Sequence, residues 1–403
     1  MDRESGFTSR RKVQRVKDKM AEQHAKPKVS QGVAAELMKK HYNLTPSEMR
    51  YLPSYDDQNF YVATAEGGQY VLKIMNSEDS KDPTLFELQT YAMAFMHENG
   101  LPTQTALRTT TGQDMFLEDM ESSAPAAAAV CQPPSPPAPE SAPVPPHEER
   151  DCGYGLQKYL VRLLTYLPGI PISKVPLSPQ LLHKVGQTAA RVDNILKEMK
   201  HPQLSVLQRE GFIWNLSNVL LLEKYMHALD GDPLQEVVKS VLHQYKTFVV
   251  PKYASFRKCL IHGDLNDLNL LVQAKESNGH RISGIIDFGD MNISYYVHEL
   301  AIAIMYMMLE HPEPLEVGGP ILAGWESVFP LNEAENDCLF WLVLSRFCQS
   351  LVLARYSVTL HPENEEYLMI SSKKGITILR RLLEMGKEQV EKIWFQTALQ
   401  FKN

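Results

Sequence analysis

The sequence contains few cysteines, and they are not arranged as in a disulfide-rich or zinc-binding protein. Among the 403 residues there are five: Cys131, Cys152, Cys259, Cys338 and Cys348. Their number is odd and no pair has C-x-x-C spacing, which argues against a disulfide framework and against a zinc site. Thiols stay free in a reducing compartment, so we expect a cytoplasmic location.

Long hydrophobic runs are lacking as well. The longest, Leu300 to Leu309, is bounded by Glu299 and Glu310. A helix needs about 20 apolar residues to cross a bilayer, so this run is interpreted as a buried core helix. The first residues show no apolar signal-peptide segment. We therefore expect no membrane partner.

An excess of positive charge is also missing. Lysine and arginine number 41 against 48 aspartates and glutamates, which gives a net charge of −7. Binding to the nucleic-acid backbone depends on an excess of basic residues, so no nucleic-acid partner is expected. With 44% hydrophobic and 22% charged residues, the composition is typical of a globular protein and excludes a disordered or fibrous chain.

Two segments differ in composition from the rest. Residues 1–31 are basic and are predicted to form a disordered extension; a mitochondrial transit peptide is the alternative, although such peptides are poor in acidic residues. Residues 121–147 contain nine prolines and seven alanines, too many prolines for a helix or a sheet. This insert is predicted to be a disordered loop, with contact to an SH3-type partner as the less favoured alternative.

The remaining pattern predicts an α+β fold with two lobes. Residues 32–168 are predicted to form a small lobe rich in β-strands, and residues 169–403 a larger, mostly helical lobe. Two strands joined by Glu66-Gly67-Gly68 predict a hairpin, and a helix over residues 85–99 follows. The larger lobe is predicted to hold a strand pair at residues 269–273 and 282–286 and helices around residues 178–199, 216–229, 234–249, 299–309, 333–358 and 366–398.

The strongest functional signal is a polar loop followed by an acidic turn. The loop reads His262-Gly263-Asp264-Leu265-Asn266-Asp267-Leu268-Asn269, and the turn reads Asp287-Phe288-Gly289-Asp290. A hairpin between them would bring Asn269 and Asp287 together at its mouth. An amide oxygen and a carboxylate suit Mg²⁺ that is bound together with substrate phosphates. Asp264 would then lie beside the metal, free to accept a proton, as phosphoryl transfer requires.

The pattern H-x-D-x-x-x-x-N followed by D-F-G is the catalytic half of the protein-kinase-like pattern. Such a site also needs a phosphate-binding lysine on a strand and a glutamate on the next helix. Lys73, in Val71-Leu72-Lys73-Ile74, and Glu87 are the candidates. The sequence has no G-x-G-x-x-G before Lys73 and no A-P-E after the D-F-G. Both absences favour a small-molecule kinase over a protein kinase.

With these motifs the chain resembles the aminoglycoside phosphotransferase and choline kinase family, whose hallmarks are the H-G-D…N loop and a metal-binding turn. The resemblance extends from about Val33 to the C-terminus, apart from the insert. Within the family, the chain resembles kinases that act on 5-hydroxy-L-lysine. The segments that carry this resemblance are residues 52–60, 159–169, 212–215, 262–267, 287–291 and 345–351. It implies a protein-kinase-like fold and GTP-dependent phosphorylation of a side-chain hydroxyl in the cytosol, a reaction of lysine degradation.

The resemblance also implies roles for the catalytic residues. Asp264 is implied to take the proton of the acceptor hydroxyl. Asn269 and Asp287 are implied to hold Mg²⁺ against the terminal phosphates of GTP or ATP. Lys73, oriented by Glu87, is implied to neutralise the phosphates.

Further residues are candidates for binding the nucleotide. Ser54, Asp57 and Asn59 belong to a loop whose backbone N–H groups are expected to cover the phosphates. The main chain of the hinge, at Thr165 and Leu167, is expected to hydrogen-bond the base. The side chains therefore do not decide between GTP and ATP.

The substrate candidates follow from the charges of hydroxylysine. Asp267 and Asp290 are candidates for its two ammonium groups. Arg346 is the candidate for its carboxylate, because a guanidinium matches a carboxylate geometrically. Two alternatives stay open: a kinase of another small alcohol or sugar, such as choline, ethanolamine or homoserine, and a nucleotide-binding pseudokinase scaffold.

Overall fold

The structure, a computed structural model, describes residues 26–54, 57–121, 156–275, 279–360 and 372–401. The chain forms two compact units. One unit comprises Met1–Pro83 and Leu107–Leu164, and the other comprises Thr84–Ala106 and Thr165–Asn403. The predicted Pro/Ala insert lies outside the described residues from position 122 onward.

The first unit is built on an antiparallel sheet. Its elements are helix α1 (Gln31–Tyr42) and strands β1 (Pro46–Leu52), β2 (Gln58–Thr64), β3 (Gln69–Ile74), β4 (Ala106–Leu107), β5 (Phe116–Glu121) and β6 (Leu156–Thr165). The strand order is β1-β2-β3-β6-β4, and β5 also pairs with β6. The predicted β2–β3 hairpin is confirmed, with Tyr61 opposite Val71. Ala106 and Thr165, at the ends of β4 and β6, already belong to the second unit.

The core of the first unit lies between α1 and the sheet. Leu37 and Met38 of α1 are buried in one cluster with Phe60 of β2 and Leu72 of β3. Burying a side chain of this size contributes roughly 1.5–3 kcal/mol. This packing, more than helix propensity, fixes α1 on the sheet.

The N-terminal extension ends earlier than predicted. Val29 is buried; its N–H donates to Oε1 of Gln58 at 2.7 Å, and its carbonyl accepts from Nε2 of Gln58 at 2.8 Å. Residues 26–31 are therefore attached to the first unit, and the expected disorder is wrong for them. Residues 1–25 lie outside the described residues.

The second unit is mainly helical. Its α-helices are α2 (Thr84–Glu98), α3 (Pro179–Leu196), α4 (Leu234–Gln244), α5 (Tyr296–Glu310), α6 (Gly318–Glu326), α7 (Glu333–Leu360), α8 (Ser372–Met385) and α9 (Lys387–Leu399). Oγ of Ser178 accepts the N–H of Leu181 at 3.2 Å and caps α3, as predicted. α3 and α6 approach closely: a Cβ on Gly186 would lie 1.9 Å from the carbonyl oxygen of Ile321.

Helix α2 belongs to the second unit, although the sequence analysis assigned it to the smaller lobe. Nε2 of Gln89 donates to the carbonyl oxygen of Gly289 at 3.4 Å, and the hydroxyl of Thr103 donates to the carbonyl oxygen of Met93 at 2.8 Å. These contacts tie α2 and the segment after it to the helical unit. The boundary expected after residue 168 is therefore replaced by the division given above.

Several helical segments differ in kind from the prediction. Leu216–Leu229 is a 3₁₀ helix, and Tyr245–Val249 continues α4 as a π-turn. The single helix predicted for residues 366–398 is broken at Gly386, where φ is +75°, into α8 and α9; residues 361–371 lie outside the described residues. Further 3₁₀ helices are Asp79–Lys81, Ile172–Lys174, Leu204–Gln208, Val250–Ser255 and Pro314–Glu316.

Two small sheets in the second unit carry the polar loop and the acidic turn singled out from the sequence. Their strands are β7 (Ile170–Pro171), β8 (Lys258–Ile261), β9 (Leu270–Ala274), β10 (His280–Ile285) and β11 (Asn292–Tyr295). β9 and β10 form the predicted hairpin, with β7 added beside β9. β8 pairs with β11, which the sequence analysis did not predict. The loop from β8 to β9 and the turn from β10 to β11 therefore begin and end on paired strands.

The apolar helices of the second unit form its core. The run Leu300–Leu309 lies within α5 and is buried except for Tyr306, which confirms the prediction of a core helix. α7 is long and apolar enough to cross a membrane by length and composition, but 78% of its most apolar window is buried inside the structure. Such burial is typical of a core helix in a globular protein.

Candidate active site

The candidate active site is built on the loop between β8 and β9. Gly263, near the start of this loop, has φ of +81°, and a Cβ there would lie 2.6 Å from the carbonyl oxygen of Asp290. Only glycine permits this backbone conformation and this approach to the acidic turn. Oδ1 of Asn266 accepts the N–H groups of Leu268 and Asn269, each at 2.9 Å. These contacts fold the loop before any ligand binds.

The carboxylate of Asp264 is bonded by three side chains. Nδ2 of Asn266 and Nδ2 of Asn269 donate to its Oδ2 at 2.9 and 2.8 Å. Nη2 of Arg346 donates to its Oδ1 at 3.2 Å. The Asp264 side chain is still 20% exposed. It is therefore fixed in orientation and reachable from solvent.

The amide of Asn269 is oriented by the same aspartate. Its Nδ2 also donates to the backbone oxygen of Asp264 at 2.9 Å. Both N–H bonds of the amide thus point to Asp264, and Oδ1 is the atom that can meet a cation. The N–H of Ile286 donates to the backbone oxygen of Asn269 at 3.0 Å. The juxtaposition of Asn269 and Asp287 at the hairpin mouth is therefore present as predicted.

Asp287 begins the acidic turn in a strained conformation. Its φ is +62°, in the left-handed region, which costs a residue other than glycine roughly 1–3 kcal/mol. Its Oδ1 accepts the N–H of Gly289 at 3.3 Å. The guanidinium carbon of Arg209 lies 3.6 Å from the ring centroid of Phe212, and its Nη1 donates to the carbonyl oxygens of Gly289 and Met291 at 2.8 and 3.3 Å. The sequence analysis missed Arg209, which holds the turn.

Burial and crowding of acidic groups set the electrostatics of the loop. Burial, and then the charge of Asp290, raises the pKa of Asp264 to about 7, and Arg346 opposes this rise. His262 is neutral, because burial lowers its pKa to about 4. Its Nδ1 accepts the N–H of Asp264 at 3.3 Å, and its Nε2 lies 3.2 Å from the carbonyl oxygen of Ile286. A proton on Nε2 satisfies both contacts, so His262 supports the loop.

Two buried acidic residues lie behind the loop. Oε2 of Glu299, on α5, accepts the N–H of Gly263 at 3.0 Å. Asp193 of α3 lies beside Glu299, and both residues are fully buried. Burial raises the pKa of Asp193 well above its usual value and that of Glu299 to about 7. The sequence analysis missed both residues; an acidic residue directly before a long apolar run was the available signal for Glu299.

Two of the predicted substrate contacts, Asp267 and Asp290, lie on the loop and the turn. Asp267 is partly buried, and burial followed by the charge of Glu310 raises its pKa to about 7. The charge of Asp290 acts on Asp264. Glu310, the last residue of α5, was not singled out from the sequence. Together these carboxylates form surroundings suited to a cationic group.

Arg346 lacks the open position expected of an arginine that binds substrate. Its side chain is only 1% exposed. Nη1 donates to the carbonyl oxygen of Trp214 at 3.0 Å and to Oε1 of Gln349 at 3.4 Å. Nη2, besides bonding Asp264, donates to the hydroxyl of Tyr306 at 3.4 Å. Because Arg346 lies on a buried face of α7, protein groups occupy the fork that was assigned to the substrate carboxylate.

In the first unit, the predicted nucleotide-binding residues surround Lys73. Nζ of Lys73 lies 3.1 Å from Oδ2 of Asp57, and the two side chains are 13% and 15% exposed. Oδ1 of Asp57 accepts the N–H of Asn76 at 3.1 Å, and the hydroxyl of Ser54 donates to the carbonyl oxygen of Asp57 at 2.5 Å. Asn59 is the cross-strand neighbour of Lys73. Asp57 is thus an ion-pair partner of the lysine, which the sequence analysis did not foresee.

Glu87 was expected to orient Lys73. It lies in the first turn of α2 and is exposed. The structure assigns α2 to the second unit and Lys73 to the first. The pairing of Glu87 with Lys73 therefore stays a prediction.

The main chain of Thr165 is already used within the protein. Its N–H donates to the carbonyl oxygen of Thr105 at 2.9 Å. Its carbonyl accepts from Nε2 of Gln104 at 3.0 Å. The N–H of Thr165 is therefore not free for a nucleotide base, and the contact expected between the main chain of this residue and the base stays a prediction. Leu167 remains the hinge candidate.

The donor set at the hairpin mouth fits a nucleotide-bound divalent cation. Oδ1 of Asn269 and the carboxylate of Asp287 are hard oxygen ligands. In the described ranges, no group of three or more His, Cys, Asp or Glu side chains forms a metal cage. Mg²⁺ commonly takes one or two protein ligands and completes its shell with phosphate and water. The pair therefore suits Mg²⁺ delivered with a nucleotide better than a structural metal.

Comparison with known sequences defines the class. The model of a phosphotransferase enzyme family matches residues 48–334, which include Lys73, the loop that carries Asp264 and the acidic turn. The chain belongs to this family and is a phosphotransferase.

Three similar sequences are all hydroxylysine kinases. A hydroxylysine kinase of Danio rerio is 53% identical over 383 residues, covering 95% of this chain and 99% of the relative. Hydroxylysine kinases of Xenopus laevis and Mus musculus are 46% and 44% identical over 384 and 390 residues, covering 93% and 94% of this chain and 95% and 96% of the relatives. The chain is thus similar to hydroxylysine kinases along nearly all its length.

Solved structures support the fold. An amicoumacin kinase in complex with AMP-PNP, Ca²⁺ and Ami superposes with a TM-score of 0.58 at 13% identity, covering 90% of this chain and 94% of that one. A microcompartment-associated aminopropanol kinase gives a TM-score of 0.57 at 16% identity, covering 88% and 98%. The first unit of this chain is rich in β-sheet and the second is mainly helical. Together with these structural similarities, this confirms the predicted α+β, kinase-like fold class.

Proposed function

We propose that this phosphotransferase transfers the terminal phosphate of a nucleoside triphosphate to the side-chain hydroxyl of 5-hydroxy-L-lysine. The observation that carries the proposal is the 44–53% identity to hydroxylysine kinases over more than nine-tenths of the chain. The geometry of Asp264 supports it, because this carboxylate is held on both oxygens and remains 20% exposed.

Asp264 acts as the catalytic base. It orients the acceptor hydroxyl and accepts its proton as the new O–P bond forms. The bonds from Asn266 and Asn269 hold the carboxylate in place before the substrate arrives. A pKa of about 7 suits a base that works near neutral pH, where general-base catalysis is most efficient.

Asn269 and Asp287 would hold Mg²⁺ at the hairpin mouth. When bound, the cation neutralises charge on the terminal phosphates. Asn269 contributes Oδ1, because Asp264 takes both of its N–H bonds. The strained backbone of Asp287 and the contacts of Arg209 keep the acidic turn fixed.

The nucleotide is GTP in this proposal, which rests on the resemblance. Lys73, which pairs with Asp57 at 3.1 Å, neutralises its phosphates. Glu87 remains the candidate for orienting Lys73, as the resemblance implies. The backbone N–H groups at Ser54, Asp57 and Asn59 cover the phosphates, and the main chain at Leu167 contacts the base.

The acidic surroundings of the loop bind the ammonium groups of the substrate. Asp267 and Asp290 are the candidates, with Glu310 beside Asp267. A bound ammonium group would keep these carboxylates ionised, because it offsets their mutual repulsion.

The enzyme works in the cytoplasm in this proposal, in lysine degradation. The cysteines within the described residues, Cys259, Cys338 and Cys348, are buried and free. Buried thiols without disulfide bonds fit a reducing compartment.

Nucleoside diphosphate release, measured with a panel of acceptors, tests the proposal. Hydroxylysine, lysine, choline, ethanolamine and homoserine are assayed with ATP and with GTP, over a range of Mg²⁺ concentrations. We expect turnover with hydroxylysine and GTP that requires Mg²⁺, and none with lysine, which lacks the hydroxyl. Faster turnover with another alcohol would contradict the proposed substrate, and faster turnover with ATP would contradict only the proposed donor.

A further inference from the structure

Arg346 is a buried cation whose presence is not explained by stability. Its side chain is 1% exposed, and its Nε has no hydrogen-bond partner among the described residues. Desolvating a guanidinium is costly, and a buried ion pair often stabilises a protein less than apolar side chains of similar volume. An incompletely satisfied arginine at the active-site carboxylate therefore points to a functional role.

The guanidinium is fixed by groups other than Asp264. It lies 4.9 Å from the ring centroid of Trp214 and 5.3 Å from that of Tyr306. Nε2 of Gln349 donates to the carbonyl oxygens of Ile213 and Asn215 at 2.8 and 3.3 Å. This orients Oε1 of Gln349 toward Arg346. The arginine is thus held in one orientation without a substrate.

Counting lone pairs identifies the oxygen of Asp264 that can take a proton. Oδ2 accepts from Asn266 and from Asn269, which uses both of its lone pairs. Among the residues that the structure describes, Oδ1 accepts from Arg346 alone. The remaining lone pair of Oδ1 is therefore the one available to a hydroxyl proton, and Arg346 bonds the same oxygen.

We propose that Arg346 is a positioning residue, which holds Oδ1 of Asp264 so that its remaining lone pair meets the acceptor hydroxyl. Arg346 does not bind the substrate carboxylate. The inference rests on the proposed role of Asp264 as base. Tyr306, Trp214 and Gln349 act through Arg346 by fixing the guanidinium.

The test compares four variants by steady-state kinetics with hydroxylysine and nucleotide varied separately. Misplacing a reacting group by about 1 Å can cost about 10²-fold in rate, so Arg346→Met should lower kcat by about that factor and change both KM values little. Arg346→Lys keeps the charge but loses the planar fork and should recover part of kcat. Tyr306→Phe should lower kcat by less than Arg346→Met. Arg355→Met, which removes an arginine elsewhere on α7 that pairs with Asp232, should leave kcat unchanged.

Chemical rescue adds a readout that a purely structural role would not change. In Arg346→Ala, added guanidinium ion should restore part of kcat, and methylammonium should restore less. If thermal unfolding shows that Arg346→Met is not folded, the kcat values of Arg346→Lys and Tyr306→Phe test the positioning role instead.

A raised KM for hydroxylysine with normal kcat in Arg346→Lys and Arg346→Met would overturn the inference, because the arginine would then bind the substrate carboxylate. Normal kinetics in both variants would overturn it as well. Neither result affects the proposed function, which fails separately if the wild-type enzyme does not phosphorylate hydroxylysine.

Discussion

Two acidic groups lie next to Gly263, the partly exposed Asp264 and the buried pair of Asp193 and Glu299, and they differ in their partners. Asp264 faces a guanidinium, that of Arg346, at 3.2 Å. Asp193 and Glu299 face each other, and in the described part of the chain no basic side chain bonds to either of them. A carboxylate paired with a cation can stay ionised in a buried site, whereas two unpaired carboxyl groups cannot both ionise.

Because their partners differ, Asp264 and the pair of Asp193 and Glu299 have different roles. Neither oxygen of Asp193 has an N–H or O–H donor within reach among the described residues. A hydrogen bond between Asp193 and Glu299 therefore requires a proton on one of them. The protonated pair supports the loop through the Gly263 N–H, while the paired carboxylate of Asp264 remains free for chemistry. The predictions below separate these tasks in order of their effect on turnover.

The largest effect is expected for Asp264→Asn. The amide has nearly the same shape but cannot accept the hydroxyl proton as a carboxylate does. General-base contributions are about 10²–10⁴ in rate, so kcat should fall by about that factor while the KM for nucleotide changes little. Both kcat and the KM for nucleotide are measured by hydroxylysine-dependent release of nucleoside diphosphate.

Thermal unfolding of the same protein is the control for Asp264→Asn, and the variant should stay folded. A folded variant with nearly wild-type turnover would show that Asp264 is not the base. The ion pair between Asp264 and Arg346 would then have only a structural role, like the pair of Asp193 and Glu299.

An intermediate effect on turnover is expected for Glu299→Ala. The change leaves the buried N–H of Gly263 without its acceptor and Asp193 without its partner. An unsatisfied buried polar group costs about 1–3 kcal/mol, so the free energy of unfolding in urea should drop by at least that amount. Turnover should fall less than in Asp264→Asn, because the base is kept but its loop is loosened. Glu316→Ala, at an exposed glutamate, is the matched control; equal stability of the two variants would contradict the supporting role.

The sequence predicted the parts of this site that are contiguous in the chain. The loop and the acidic turn could be read directly, and the hairpin between them followed from two short apolar runs around Asn278-Gly279. A hairpin brings its two ends together by local geometry, so the meeting of Asn269 and Asp287 could be predicted without knowing the rest of the fold.

The supporting residues could not be predicted in the same way. Arg209, Asp193 and Arg346 come from separate parts of the chain, and only tertiary packing brings them to the loop and the turn. The charge of Arg346 fitted a substrate carboxylate equally well, because a sequence does not show whether a helical arginine is buried. The same limit applies to Lys73, whose partner Asp57 lies just before the adjacent strand β2.

The smallest effect on turnover is expected for Asp193→Asn, which tests the unpaired group. In the folded protein the pKa of Asp193 is well above its usual value, so the folded state keeps a proton that the unfolded chain releases above about pH 4. Wild-type stability should therefore fall as pH rises above that value, by up to about 1.4 kcal/mol per pH unit.

The amide of Asp193→Asn donates to Glu299 without a titrating proton. Urea unfolding of this variant from pH 4 to 8 should therefore show a smaller loss of stability than the wild type, and kinetic assays should give a nearly unchanged kcat. Asp230→Asn, at an exposed aspartate, should follow the wild type; parallel curves for Asp193→Asn and wild type would mean that Asp193 is already ionised in the folded protein.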